Sequence, residues 1–168
     1  YEELFKGQGL VFEQDGEGIT LAGPLKAGAY TLRGDVSSQF ISGLLFALPL
    51  LKGDSTIRLR PPVESRSYIG LTLSALKGFG VRAGWKNEYT LFIPGGQRYM
   101  AAGTRVEGDY SQAAFLAVLG CVLGGVTVTG LNPESKQGDK VIMDILQRCG
   151  GKCKAVDGGL KFSRSLLK

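Results

Sequence analysis

Two stretches of this 168-residue chain repeat one another, and few folds accommodate such a repeat. Gly34-Asp35 is followed by Ser37, and Gly108-Asp109 by Ser111 at the same distance. Each leads into an apolar helix, Phe40 to Leu51 and Ala113 to Leu123, that stops near glycine, at Gly53 and at Gly124-Gly125. A β-branched strand follows each, Thr56 to Leu59 and Val126 to Thr129, and then a polar loop, Pro61 to Ser65 and Asn132 to Ser135. A second, amphipathic helix comes next, with Ile69, Thr72, Leu73 and Leu76 on one face in the first copy. Val141, Ile142, Ile145, Leu146 and Cys149 form that face in the second. Each copy closes in a hairpin: Val81 to Trp85 with Tyr89 to Ile93, and Lys152 to Val156 with Leu160 to Ser163. The copies are 74 residues apart at the Gly-Asp pair and 71 at Gly53 and Gly124, a duplication with a change in loop length.

With the preceding strands, Ala29 to Arg33 and Thr104 to Val106, each copy reads β-α-β-α-β-β. The fold class is therefore α+β, with helices packed on mixed four-stranded sheets. The first helix of each copy is apolar almost all round and is expected to be buried on several sides. Residues 1–23 add two strands, Leu10 to Glu13 and Ile19 to Leu21. The organisation predicted is a first unit over 1–95, a hinge rich in Gly and Ala over 96–103, and a second unit over 104–168.

Composition narrows the chemistry. The chain has no His, which excludes His triads, His bases and His metal ligands within it. Its three cysteines, Cys121, Cys149 and Cys153, are odd in number and read as small apolar residues in a reducing, cytoplasmic setting. The net charge of +5 fits an anionic small substrate, and it also fits a nucleic-acid surface. No block of five Lys/Arg occurs, and Phe40, Phe46, Phe79 and Phe115 fall in or beside apolar helices, so they are expected in the core and not as a base-stacking surface. No run reaches the roughly 18 apolar residues of a membrane span. A start without Met and an end just after an apolar stretch are what an excised internal piece would show.

The residues suited to chemistry sit at helix starts. Asp35-Val36-Ser37-Ser38-Gln39-Phe40 opens the first helix, where free backbone N–H groups and short hydroxyls together favour a phosphate. Gln39 supplies a donor and an acceptor suited to a hydroxylated ring. Ser65-Arg66-Ser67-Tyr68 occupies the matching turn before the second helix, so Ser37, Ser38 and Ser65 are expected to converge on one anion.

These two motifs, followed by Ile69, Thr72-Leu73 and Phe79-Gly80-Val81, resemble the 5-enolpyruvylshikimate-3-phosphate (EPSP) synthase family. Val106-Glu107-Gly108-Asp109 with Ser111, and Ser135, Gln137, Gly138 and Asp139, match later family landmarks in order. The resemblance covers essentially the whole chain. It implies an inverse-barrel fragment of a transferase that moves enolpyruvyl from phosphoenolpyruvate to the 5-hydroxyl of shikimate 3-phosphate. It implies no metal or organic cofactor, and a monomeric parent with no nucleic-acid or membrane partner. The chain would hold the last unit of one domain and the first unit of the other. Carried over by position, Ser37, Ser38 and Ser65 bind the 3-phosphate, Gln39 lies between the shikimate ring and phosphoenolpyruvate, and Tyr68 packs near the ring. Ser67 stands where the family usually has Pro, which leaves the helix start less fixed. The family's amino-terminal Lys-Ser-Arg loop, its catalytic Asp and Glu and its carboxy-terminal cationic clamp have no counterpart here, so no residue is expected to be catalytic and the chain alone is expected to be inactive. Asp35 and Asp109 are expected to cap their helices. The related transferase acting on UDP-N-acetylglucosamine and a basic nucleic-acid module are the alternatives; the first resembles the chain less around the double Ser.

Overall fold

The computed structural model describes residues 2–64 and 66–168. They divide into two compact units, Tyr1–Gly103 and Thr104–Lys168.

The first unit opens with a short helix that the sequence did not announce, α1 (Glu2–Gly7), and a hairpin of β1 (Val11–Gln14) and β2 (Ile19–Ala22). Next come β3 (Ala29–Arg33), α2 (Ser38–Ala47), β4 (Ser55–Arg60), α3 (Arg66–Gly78), β5 (Gly84–Asn87) and β6 (Thr90–Ile93). The four-stranded sheet has the order β3-β4-β6-β5, with β3 parallel to β4 and the remaining pairs antiparallel. Alternation along β4 turns Ser55, Ile57 and Leu59 inward and leaves Arg58 and Arg60 exposed. Ile57 and Leu59 join Tyr30, Leu91 and Ile93 of the sheet, Ile41, Leu44 and Leu45 of α2, and Ile69 and Leu76 of α3 in one core. The apolar run expected to be helical to Leu51 is α-helical only to Ala47 and continues as a 3₁₀ turn, Leu48–Leu50. Pro49 has no N–H with which to bond back to Leu45, so the α-helical ladder cannot pass it.

The segment predicted as a hinge carries backbone bonds to the first unit at its start. Gly96 N–H bonds to Leu51 O, Gln97 N–H to Pro49 O (2.9 Å) and Met100 N–H to Phe79 O (2.9 Å). The Gln97 side chain bonds both backbone groups of Arg82, and the Tyr99 hydroxyl donates to Phe46 O. Residues 96–100 are thus laced onto the first unit by backbone groups, which composition does not reveal.

The second unit runs α4 (Tyr110–Leu123), β7 (Val126–Thr129), a 3₁₀ turn (Gly138–Val141), α5 (Ile142–Arg148), β8 (Lys152–Val156) and β9 (Gly159–Ser163). Its sheet has three antiparallel strands, β7-β9-β8, not the four expected. Thr104 to Val106 form no strand; all three are exposed, Val106 at 88%. In the first unit β3 sends Tyr30 into the core and half-buries Leu32, whereas 104–106 offer a single apolar side chain and nothing to bury it. Only the closing contact survives: Gly108 N–H to Gly130 O, 2.8 Å, repeats Gly34 N–H to Arg60 O, 2.9 Å.

The burial expected for the first helices is also revised. α4 buries Tyr110, Ala113, Ala117, Gly120 and Cys121, and lies so close to the sheet that a Cβ on Gly120 would stand 2.5 Å from Phe162 Cβ. Its other side, with Phe115 (75% exposed), Leu119, Val122 and Leu123, is exposed. The core beneath α4 is small: Ala117, Cys121, Leu146 and Phe162. Cys149 is half-buried and Cys153 exposed.

This contrast yields an expected outcome. Phe162→Ala should lower the stability of the second unit by about 3–5 kcal/mol, while Phe115→Ala should change it by less than about 0.5 kcal/mol. Urea unfolding followed through amide signals of residues 104–168 checks both, and similar losses would contradict the one-sided burial.

Candidate functional site

β3 and β4 are parallel and in register from Ala29↔Thr56 to Arg33↔Arg60. Their carboxyl ends therefore lie at one sheet edge, and the chain leaves both to begin α2 and α3. The two departing loops are bonded to each other: Gly34 N–H donates to Arg60 O, and Glu64 N–H to Gly34 O (3.3 Å). Gly34 has no room for a side chain, since a Cβ would stand 2.7 Å from Pro62 O, 2.8 Å from Val63 Cγ2 and 3.0 Å from Arg60 O. One turn into the helices, Ser42 Oγ and Thr72 Oγ1 are 2.6 Å apart. Thr72 spends its proton on Tyr68 O (3.1 Å), so Ser42 is the donor.

On this frame Ser37 is the N-cap of α2, with φ −162° and ψ 133°, and its Oγ accepts from Gln39 N–H at 3.2 Å. Its hydroxyl proton remains available. Ser38 is the first residue of α2 and half-buried, and Gln39 beside it is exposed. Tyr68, in the first turn of α3, is 43% exposed. Ser65 lies outside the described residues, so the expected convergence of Ser37, Ser38 and Ser65 extends here to the two loops that carry them.

One neighbour differs from expectation, and another is engaged by the hairpin. Asp35 does not cap α2; its carboxylate takes both the Nε (3.0 Å) and Nη2 (2.8 Å) of Arg33. That pairing holds the Asp35 carboxyl below its ordinary range. Arg66, an exposed residue at the start of α3, has partners of its own. Its guanidinium lies 4.5 Å from the centre of the Trp85 ring and donates to Glu88 O. Nothing in the spacing of Arg66 and Trp85 signals this contact, because it depends on how α3 lies against the β5–β6 hairpin.

The second unit fills the corresponding place with its own groups. Asp109 is the N-cap of α4, as expected, accepting from Ser111 N–H (2.8 Å) and Ser111 Oγ (2.7 Å). Glu107 occupies the repeat position of Arg33, and its carboxylate accepts from Ser135 Oγ (2.6 Å) and Gln137 Nε2 (3.0 Å). Gln137 also takes Tyr110 N–H on its Oε1 (2.8 Å) and donates to Gly108 O (2.9 Å). The Ser135 hydroxyl and then the Gln137 amide hold the Glu107 carboxyl below its ordinary range.

Comparison with known proteins places this geometry in context. A family model described as EPSP synthase (3-phosphoshikimate 1-carboxyvinyltransferase) matches residues 13–165. A 3-phosphoshikimate 1-carboxyvinyltransferase of Clostridium botulinum is 45% identical over 162 residues, 95% of this chain and 37% of that protein. Its namesake in Clostridium beijerinckii is 45% identical over 168 residues, 99% of this chain and 39% of that protein. The solved EPSP synthase of Acinetobacter baumannii superposes with a TM-score of 0.66 over 96% of this chain and 37% of its own, at 20% identity, a likeness of fold. This chain thus spans a little over a third of the relatives it matches.

Two outcomes follow from the geometry. Gly34→Ala should cost about 1–3 kcal/mol, because two of the three obstructing atoms are backbone carbonyls. Denaturation together with faster hydrogen exchange at Gly34 N–H would check it; wild-type stability would mean that the loops are not closely apposed. The second concerns Glu107. A carboxyl with a lowered folded pKa contributes stability above its unfolded pKa and loses it as pH falls through the folded one. Glu107→Gln should therefore destabilise the second unit at neutral pH and shrink its loss of stability in acid. Urea midpoints for residues 104–168 at neutral and acidic pH would show it, and parallel pH profiles would contradict it.

Proposed function

Because this chain belongs to the EPSP synthase family, we propose that it supplies one wall of the shikimate 3-phosphate site of a longer enolpyruvyl transferase. The reaction moves the enolpyruvyl group of phosphoenolpyruvate from its phosphate oxygen to the 5-hydroxyl oxygen of shikimate 3-phosphate, and the hydroxyl proton leaves with the released phosphate. In this reading the hydroxyls of Ser37, Ser38 and Ser65 hold the 3-phosphate, Gln39 reaches between the ring and phosphoenolpyruvate, and Tyr68 flanks the ring. The observation that carries it is the bonded pair of loops after β3 and β4, which presents the starts of α2 and α3 side by side. Helix-start N–H groups and short hydroxyls favour an oxyanion there.

The same reading makes residues 1–95 the last unit of one domain and 104–168 the first unit of the other, with the crossing between them in 96–103. It pictures a monomeric, cytoplasmic parent acting on two small anions and not on nucleic acid. Among the described residues no helix is long and apolar enough to cross a membrane.

Ser37, Ser38, Gln39 and Ser65 are binding groups. A group that holds substrate and transition state equally well does not speed the chemical step. Phosphate release from phosphoenolpyruvate and shikimate 3-phosphate should therefore be undetectable with this chain alone. In the full-length parent, Ser38→Ala should weaken shikimate 3-phosphate binding by roughly 10- to 100-fold, the loss expected for one hydrogen bond to a charged group. Calorimetry measures it, and unchanged affinity would remove Ser38 from the site.

A further inference from the structure

The outer face of the four-stranded sheet holds an open cleft of about 390 Å³, lined by Thr31, Arg58, Leu59, Arg60, Pro61 and Tyr89. We propose that this cleft is a second anion site, distinct from the helix-start site, that takes a phosphate or phosphate monoester between the guanidinium groups of Arg58 and Arg60.

The strand places the two arginines. They are two positions apart on β4, so both project from the outward face, roughly 7 Å apart at Cα. Thr31 lies directly opposite Arg58 on the parallel strand β3. Tyr89 is brought over the cleft because Leu59 N–H donates to Tyr89 O at 2.8 Å, which fastens the β5–β6 turn to β4. Pro61 closes the end where the chain leaves the strand.

Charge argues for a ligand. Among the described residues Arg33 is spent on Asp35, and Arg66 on Trp85 and Glu88 O. Among the described residues neither Arg58 nor Arg60 has an ion pair or an aromatic ring partner, and no carboxylate lines the cleft. Glu88, on the neighbouring turn, is engaged with the Tyr89 hydroxyl. Two like charges side by side on a strand face repel one another, and a bound dianion removes that repulsion. Guanidinium matches phosphate geometry with paired N–H donors, and the Thr31 hydroxyl adds another. The volume falls in the range of small-molecule sites, large enough for a phosphate with a short organic group.

The cleft also leads somewhere. Thr31 and Arg60 line a smaller neighbouring cavity of about 200 Å³, together with Glu3, Arg33, Val36 and Phe40. Val36 and Phe40 flank Ser37, Ser38 and Gln39 in sequence, so a phosphate on Arg60 is at the approach to α2. The inference rests on the cleft alone and holds whatever reaction the longer protein carries out.

The test is a titration of the ¹⁵N-labelled chain with inorganic phosphate and with glycerol 3-phosphate. The expected result is saturable movement of the Thr31, Leu59, Arg60 and Tyr89 amides with millimolar affinity. An Arg58→Gln/Arg60→Gln double variant should lose at least about tenfold in affinity, as expected when charge-assisted bonds are removed. Arg60→Lys, which keeps the charge without the paired donors, should lose less. Ser38→Ala should leave these signals unchanged. Linear movement without saturation, movement confined to residues 37–39, survival in the double variant, or loss in Ser38→Ala would each overturn the proposal. Both arginines are exposed on an outer strand face, so the variants should stay folded, and amide dispersion verifies that. A glycerol 3-phosphate response without one to phosphate would assign the cleft to esters; equal responses would assign it to the phosphate group itself.

Discussion

The parallel pairing of β3 with β4 is the contact on which the first unit depends. Parallel strands must be joined by a crossover, and here the crossover is α2. In-register pairing from Ala29↔Thr56 to Arg33↔Arg60 then makes both strands end together. Had β4 run antiparallel, the starts of α2 and α3 would lie at opposite edges of the sheet, and the hydroxyls of the two loops could not share a ligand. Gly34 completes the arrangement by letting the loops touch. The outward arginines follow from the same strand, since the alternation that buries Ile57 and Leu59 leaves Arg58 and Arg60 outside.

The two units show how one sequence pattern diverges under different local chemistry. Both keep the bond from a Gly N–H to the carbonyl at the end of the next strand. At the residue before that glycine, the first unit has Arg33 and the second Glu107. Arg33 turns to Asp35 at the surface, leaving Ser37 to cap α2. Glu107 turns inward to Ser135 and Gln137, and Asp109 caps α4. Measured from the Gly-Asp pair, α4 consequently starts two residues earlier than α2. The hydroxyls at the second helix start bond to carboxylates of their own unit, while those of Ser37 and Ser38 face outward to a ligand in the function proposed above.

Much of this was legible in the residues. The repeat located both amphipathic helices and both hairpins, because a period of 3.6 or 2 is imposed by local geometry. Ser37 and Ser38 read correctly as a helix start for the same reason. What failed depended on tertiary cover. Thr104 to Val106 has strand-forming residues but no apolar alternation to anchor a fourth strand. α4 is apolar on every side, a pattern that shows what could be buried and not what covers it. Residues 96–103 read as linker by composition, which gave no sign of the backbone bonds from Gly96, Gln97 and Met100 to the first unit. The Arg66–Trp85 stacking and the Arg58–Arg60 cleft join residues that come together only when α3, β4 and the hairpin are assembled.

The thiols of the second unit lie at three depths. Cys153 is on the surface of β8, Cys149 is half-buried after α5, and Cys121 is fully buried where α4 meets Phe162. Alkylating reagents reach a sulfur only as fast as it becomes accessible. Cys153 can be modified in the native protein, slowly because partial burial raises its thiol above the ordinary range, whereas Cys121 must wait until α4 lifts from the sheet. The chain therefore carries its own clock for local opening, readable by mass spectrometry as the interval between the first label and the last.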